Sequence, residues 1–181
     1  MKLKHFIYRS ILFFLRQPII RNISPDEWYL YFMYYIKIGS HLNLNNPSTF
    51  NEKIQWLKLY GFKSEYTQMV DKYKVRNYVA EKIGEKYLVP LLGGPWDNFE
   101  DINFDLLPNE FVLKCTHDSG GVVICSDKSK FDRNNARERI NNALNYNYYW
   151  GGREKPYRDI KPKIIAETHL VNDEGTELND Y

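Results

Sequence analysis

The sequence predicts an α+β fold in which helices come first and a small antiparallel sheet follows. Three observations carry that expectation. Helix punctuation recurs through the first half, as in Ser24-Pro25-Asp26-Glu27 and the later Gly39. Phe111–Cys115 and Val122–Cys125 are short apolar runs joined by a compact polar loop, the pattern of a β-hairpin. Ile164–Glu167 reads as one more strand. With 181 residues, 43% apolar and 27% charged, the chain has a globular composition and room for one domain or two small lobes.

Residues 1–20 read as a helix stopped near Pro18. Lys2, Lys4 and Arg16 flank the apolar run Phe6–Leu15, which Arg9 interrupts and which is shorter than the roughly 20 residues a membrane span needs. Leu3, Ile7, Ile11, Phe14 and Leu15 fall near one face. Such a helix either docks on the protein's own core or lies on an anionic membrane surface through residues 1–17. Ser24 as a cap, Pro25 at the first helical position and two acids then open a helix over about 25–38. Its Trp28, Tyr29, Tyr31, Phe32, Tyr34 and Tyr35 predict that it is largely buried.

Asn43–Ser48 is a turn-rich loop, and Ser48 or Thr49 can cap a helix that runs to about Tyr60. Ile54, Trp56, Leu57 and Leu59 are its expected apolar contacts. Asp71–Ile83 reads as a further helix ended by Gly84. Tyr87-Leu88-Val89-Pro90 reads as a short strand, and Leu91–Trp96 as a glycine-proline turn. Phe131–Asn145 has the pattern of a polar amphipathic helix. The aromatic connection Tyr146–Tyr157 suits either packing or stacking on sugar rings.

Composition excludes some functions. A net charge of +2 with no basic cluster away from the N-terminus argues against nucleic acid as a partner. Cys115 and Cys125 lack metal-ligand spacing, and His5, His41, His117 and His169 are scattered, so no metal site is expected. Two thiols without a disulfide framework fit a reducing compartment, the cytoplasm.

The segment Phe111–Cys125 carries the chemistry. Lys114 stands on a strand that aims its ammonium. The following loop ends in Ser119-Gly120-Gly121, where adjacent glycines let backbone N–H groups approach an anion closely. A phosphate site is one reading and an ordinary hairpin tip is the other. Neither a Walker A loop nor a GxGxxG fingerprint is present.

Several stretches resemble the TupA-like (teichuronopeptide biosynthesis) group of ATP-grasp proteins. They are Phe50–Lys58, Val70–Arg76, Phe111–Cys125, Gly152–Tyr157 and Lys161–Glu167. One departure is Lys155, where the family pattern has Trp. The resemblance implies an N-terminal helical region over 1–46 and an incomplete ATP-grasp domain over 47–181. In that domain a small antiparallel-sheet lobe holds the nucleotide and the C-terminal lobe is missing.

By position, the resemblance implies that Lys72 and Lys114 contact the nucleotide. It makes Ser119, Gly120 and Gly121 the phosphate-covering loop, Glu167 the hinge acid at the adenine edge and Glu174 a ribose-binding acid. His117 either contacts phosphate or caps the loop, and Lys72 could instead be an ion-pair partner on a helix face. The cofactor implied is ATP, with Mg²⁺ expected in intact relatives but no ligands for it here. The expected function is the nucleotide-binding portion of a ligase-like protein of cell-surface polysaccharide synthesis, inactive alone, acting on a saccharide or amino-acid acceptor. The alternatives are a glycosyltransferase-like protein using a nucleotide sugar and a non-catalytic remnant. An exposed strand edge would also invite self-association.

Overall fold

The computed structural model describes residues 22–171 and divides into two compact units. The α+β fold is observed. The expectations for residues 1–17 and for Glu174 lie outside the described residues. Among the described residues, no helix is long and apolar enough to cross a membrane.

The first unit takes the described residues up to Tyr66 together with Tyr148–Arg158. Helix α1 (Asp26–Ile38) ends at Gly39, whose φ of 82° lets its N–H reach the Tyr35 carbonyl. Two details differ from the sequence reading. Pro25 itself sits at the N-cap, with no side chain capping the helix. Burial is also confined to Tyr29, Leu30, Met33 and Tyr34, one stripe at helical spacing, which packs with Leu42 and Leu44. Trp28 (74% exposed) and Tyr35 (52%) face solvent, because aromatic content alone does not set which face of a helix is inward.

Helix α2 (Phe50–Tyr60) begins as expected on a Thr49 cap, which Glu52 completes into a capping box. Thr49 Oγ1 accepts the Glu52 N–H (3.2 Å), and Glu52 Oε2 accepts the Thr49 N–H (2.9 Å) and the Ser48 N–H (3.0 Å). These backbone donors, with the two hydroxyls, hold the Glu52 carboxyl down to about 2. An unfolded glutamate titrates near 4.3, so this stabilisation is complete above that pH and is lost as pH falls from about 4.3 toward 2. Glu52→Gln should therefore melt below the wild type at pH 7, with the gap closing near pH 2.5. Thermal melts at both pH values check this, and a gap that persists in acid would contradict it.

The short helix α6 (Tyr149–Gly152) closes this unit through Arg153. Arg153 is 2% exposed, holds φ at 55°, and lies 3.4 Å from Asp26 Oδ1. Its guanidinium also stacks over the Tyr29 ring at 4.6 Å and the Trp150 ring at 4.8 Å, so part of the aromatic connection is packing. Lys155 donates to the Leu59 carbonyl at 2.8 Å and so ties off the end of α2.

The second unit is Thr67–Asn147 together with the described residues from Asp159. Its four-stranded antiparallel sheet has the order β1-β4-β2-β3, with β1 Leu91–Trp96, β2 Phe111–Cys115, β3 Val122–Cys125 and β4 Ile164–Glu167. Three strands match the sequence reading. The first does not: Tyr87 ends a 3-10 turn, and the strand is the glycine-proline segment itself. Edge strands tolerate Pro, and this one carries two register breaks around Gly93. Gly94 has φ of 96°, and a Cβ there would stand 2.6 Å from the Ile164 carbonyl oxygen. Only glycine lets the strands approach at that point.

The expected helix Asp71–Ile83 is shorter. Glu65–Val70 forms α3, residues 71–74 turn, and α4 spans Val75–Ile83. Asp71 Oδ1 accepts the Tyr73 and Lys74 N–H groups, which starts α4 from outside it. Helix α5 (Arg133–Leu144) opens on Asp132, whose carboxylate accepts the Asn134 and Asn135 N–H groups, and covers one face of the sheet through Ala136 and Ile140. Beneath it, Phe104, Phe111 and Phe131 form an aromatic cluster with centroids 5.2–6.1 Å apart. Cys115 and Cys125 are free and buried in this core. Desolvation pushes the Cys115 thiol up to about 12, which leaves it inert as a nucleophile.

Candidate functional site

Strand alternation sends Phe111, Leu113 and Cys115 of β2, and Ile164 and Ala166 of β4, toward α5. The intervening residues Val112, Lys114, Ile165 and Glu167 therefore share the opposite face. Val112 pairs with Glu167 and Lys114 with Ile165, so Lys114 and Glu167 are diagonal neighbours on adjacent strands. Diagonal positions lie within reach of long side chains. Here Lys114 Nζ meets Glu167 Oε2 at 2.7 Å.

Glu167 is 6% exposed, and burying a lone carboxylate would be costly. Its second oxygen accepts from Arg76 Nη1 at 2.9 Å, while Arg76 Nη2 donates to the Val89 carbonyl at 2.7 Å. Arg76 therefore fastens α4 both to β4 and to the segment entering β1. The sequence reading gave Arg76 no role, although it closes one of the stretches that carried the resemblance. A buried-strand carboxylate with one lysine partner was the available signal that a second cation was needed.

The loop after β2 is held from behind. Lys72 Nζ donates to the Cys115 carbonyl (2.8 Å) and to the Asp118 carbonyl, and lies 3.6 Å from Asp118 Oδ1. Asp118 Oδ2 accepts the Gly121 N–H at 2.6 Å, and Gly121 returns its carbonyl to the Cys115 N–H at 2.7 Å. Lys72 thus sits in the turn before α4 and braces the loop. It is not on an exposed helix face, and its contacts here are with the protein backbone and Asp118. Asp118 was also missed, though an Asp three residues before a glycine is a recognisable turn former.

His117, by contrast, is 2% exposed, with Nε2 facing the Ala143 (3.2 Å) and Tyr146 (3.1 Å) carbonyls. Both neighbours are acceptors, so Nε2 carries the proton. His117 anchors the loop to the end of α5. Gly121 is buried, and a Cβ on it would meet Cys115 Cβ and Ala143 Cβ at 2.8 Å, so close packing explains this glycine. The exposed tip is Ser119-Gly120, and among the described residues neither of its N–H groups donates a hydrogen bond. Of the expected site residues, the structure pairs Lys114 with Glu167, places Ser119 and Gly120 at the tip, and uses Lys72, His117 and Gly121 to build the loop.

A cleft of about 260 Å³ opens on the Lys114 face of the sheet. Val89, Val112, Val122 and Ile124 make apolar walls, Lys114 supplies the cation, and Thr168–Leu170 follow directly on Glu167. Apolar walls with one aimed ammonium suit a heterocyclic base joined to an anionic group. The residues present therefore fit that part of a nucleotide, and at about 260 Å³ the cleft takes the part and not the whole. Among the described residues, no group of three or more His, Cys, Asp or Glu side chains is placed to hold a metal ion.

The model of the TupA-like ATPgrasp family matches residues 52–181, and the chain belongs to that family of ATP-grasp-like proteins. Membership implies nucleotide binding, and ATP with Mg²⁺ is the general pair in ATP-grasp proteins. Comparisons with curated proteins and with solved structures gave no match.

Proposed function

We propose that the open face of the sheet binds the ATP of a carboxylate–amine ligase reaction in cell-surface polysaccharide synthesis, within a domain that begins near residue 47. The observation that supports this most is Lys114, which lines the cleft while its ammonium holds Glu167 at 2.7 Å. Its side chain is 29% exposed, so it can exchange a carboxylate oxygen for a phosphate oxygen without leaving the cleft. Arg76 keeps Glu167 paired during that exchange.

Val112, Val122 and Ile124 receive the base, and the Ser119 and Gly120 amides cover the phosphates. Lys72 and His117 fix the loop that carries those amides. In such a reaction ATP gives its γ-phosphate to a carboxylate, and an amine then displaces that phosphate to form an amide, leaving ADP. A saccharide or amino-acid acceptor belongs to the same proposal. So does self-association along β3, a sheet edge on which Ile124 is 44% exposed.

Calorimetric titration with ATP, ADP and a UDP-sugar, each with and without Mg²⁺, tests the reading. ATP and ADP should bind at least about tenfold more tightly than the UDP-sugar. Preference for the UDP-sugar would favour a glycosyltransferase-like protein, and silence toward all three would favour a non-catalytic remnant.

A further inference from the structure

The first unit contains a second cavity, of about 240 Å³, that the nucleotide reading does not use. Its lining departs from ordinary helix packing. Helix α1 contributes its buried apolar stripe, Leu30, Met33 and Tyr34, and ends the wall with Lys37. Helix α2 presents Asn51, Gln55 and Lys58, three polar residues at helical spacing. Its large apolar residues Phe50, Trp56, Leu57 and Tyr60 are meanwhile 38–76% exposed. A helix that packs only for stability turns its apolar side inward. This one packs Leu59 on the apolar cluster and turns the Asn51 and Gln55 amides and the Lys58 ammonium toward a hollow.

The remaining wall is Gly151-Gly152, and it is fixed in place. Tyr29 donates its hydroxyl to the Gly151 carbonyl (3.2 Å), and Lys58 Nζ donates to the Gly152 carbonyl (3.1 Å). A Cβ at Gly152 would stand 2.8 Å from Glu154 Oε1 and 3.4 Å from Lys58 Nζ. The lining holds two ammonium groups and no carboxylate. Glu154, behind the Gly152 wall, lies 3.4 Å from Lys58 without lining the cavity and shares that ammonium.

From this arrangement we propose that the cavity binds a small anionic organic molecule. Its apolar body rests on Leu30, Met33 and Tyr34, and its carboxylate or phosphate head lies between Lys37 and Lys58. Asn51 and Gln55 supply amide hydrogen bonds to the head. The volume is at the small end for ligand pockets, so the occupant is of fragment size. This site stands whether or not the sheet of the second unit binds a nucleotide.

Benzoate, phenyl phosphate and the uncharged benzamide serve as probes, followed by NMR on the full chain. Benzoate or phenyl phosphate should shift the Asn51 and Gln55 side-chain amides and the Gly151 and Gly152 backbone amides, with benzamide at least about tenfold weaker. A response to benzoate alone, or to phenyl phosphate alone, supports the site and names the head group. Lys37→Met alters only an exposed residue and should weaken the anionic probe several-fold, and Gln55→Glu should repel it while the melting temperature stays near wild type. Equal responses to benzamide and benzoate, affinity unchanged in both variants, or no shift up to about 10 mM would overturn the proposal.

Discussion

Glu167→Ala is expected to destabilise the second unit by about 2–3 kcal/mol, a fall of roughly 8–24 °C in its melting temperature. The reasoning begins with alternation, which puts the carboxylate on the face of β4 that α5 does not cover. There it is 6% exposed and divides its two oxygens between Arg76 and Lys114. Removing it leaves two cations facing each other, with the Arg76 side chain 15% exposed and the Lys114 side chain 29% exposed. Breaking a fully buried pair costs about 3–5 kcal/mol, and residual solvent at the two cations brings the expected figure below that range. Glu167→Gln, which keeps an acceptor but not the charge, should fall between the wild type and alanine. Denaturant melts of the three proteins measure this. A loss under about 0.5 kcal/mol for alanine would mean that the cluster behaves as a screened surface pair.

Lys114→Ala should do the reverse: little to the fold, much to the ligand. Glu167 keeps Arg76 after the substitution, so no carboxylate is stranded, and the truncated side chain is already partly in water. The expected stability change is about 1 kcal/mol or less. A hydrogen bond from an ammonium to a charged group is worth about 1.5–3 kcal/mol, which corresponds to roughly 10–150-fold in ATP affinity. Lys114→Arg should recover part of that loss, because charge is retained while the point-like ammonium geometry is not. Titration calorimetry on the three proteins, with melting temperatures in parallel, separates lost contact from lost fold.

The parts of the fold legible in the sequence were those written in short apolar runs and capping. The hairpin Phe111–Cys125 and the strand Ile164–Glu167 could be read because they are short apolar runs bounded by polar or proline-containing segments. Thr49 announced the start of α2 as a cap residue, and Gly39 announced the end of α1. Strand β1 was hidden because Gly93, Gly94 and Pro95 carry turn chemistry. Their place in the sheet depends on the closeness of Ile164, a contact more than sixty residues away.

The site divides in the same manner. Lys114 and Glu167 stood out because each is a charge on an apolar strand. Arg76 reveals its role only across a long sequence separation, by reaching β4, whereas Asp118 carried a local signal through Gly121 and gains Lys72 only in the fold. Lys72 and His117 each carried two readings in the sequence, nucleotide contact for both against an ion-pair partner for Lys72 and a loop cap for His117. Tertiary structure turned both inward, one to the Cys115 and Asp118 carbonyls and the other to the end of α5. Cations and imidazoles in a nucleotide lobe can serve the loop's shape as well as the phosphate.

Hydrogen–deuterium exchange with and without Mg-ATP probes the proposed use of this face most directly. Slower exchange should appear at Ser119 and Gly120, whose amides have no acceptor among the described residues, and at Thr168–Leu170 beside the cleft, and it should disappear in Lys114→Ala. Unchanged exchange at both segments while ATP is bound would place the nucleotide elsewhere and contradict the assignment of Lys114.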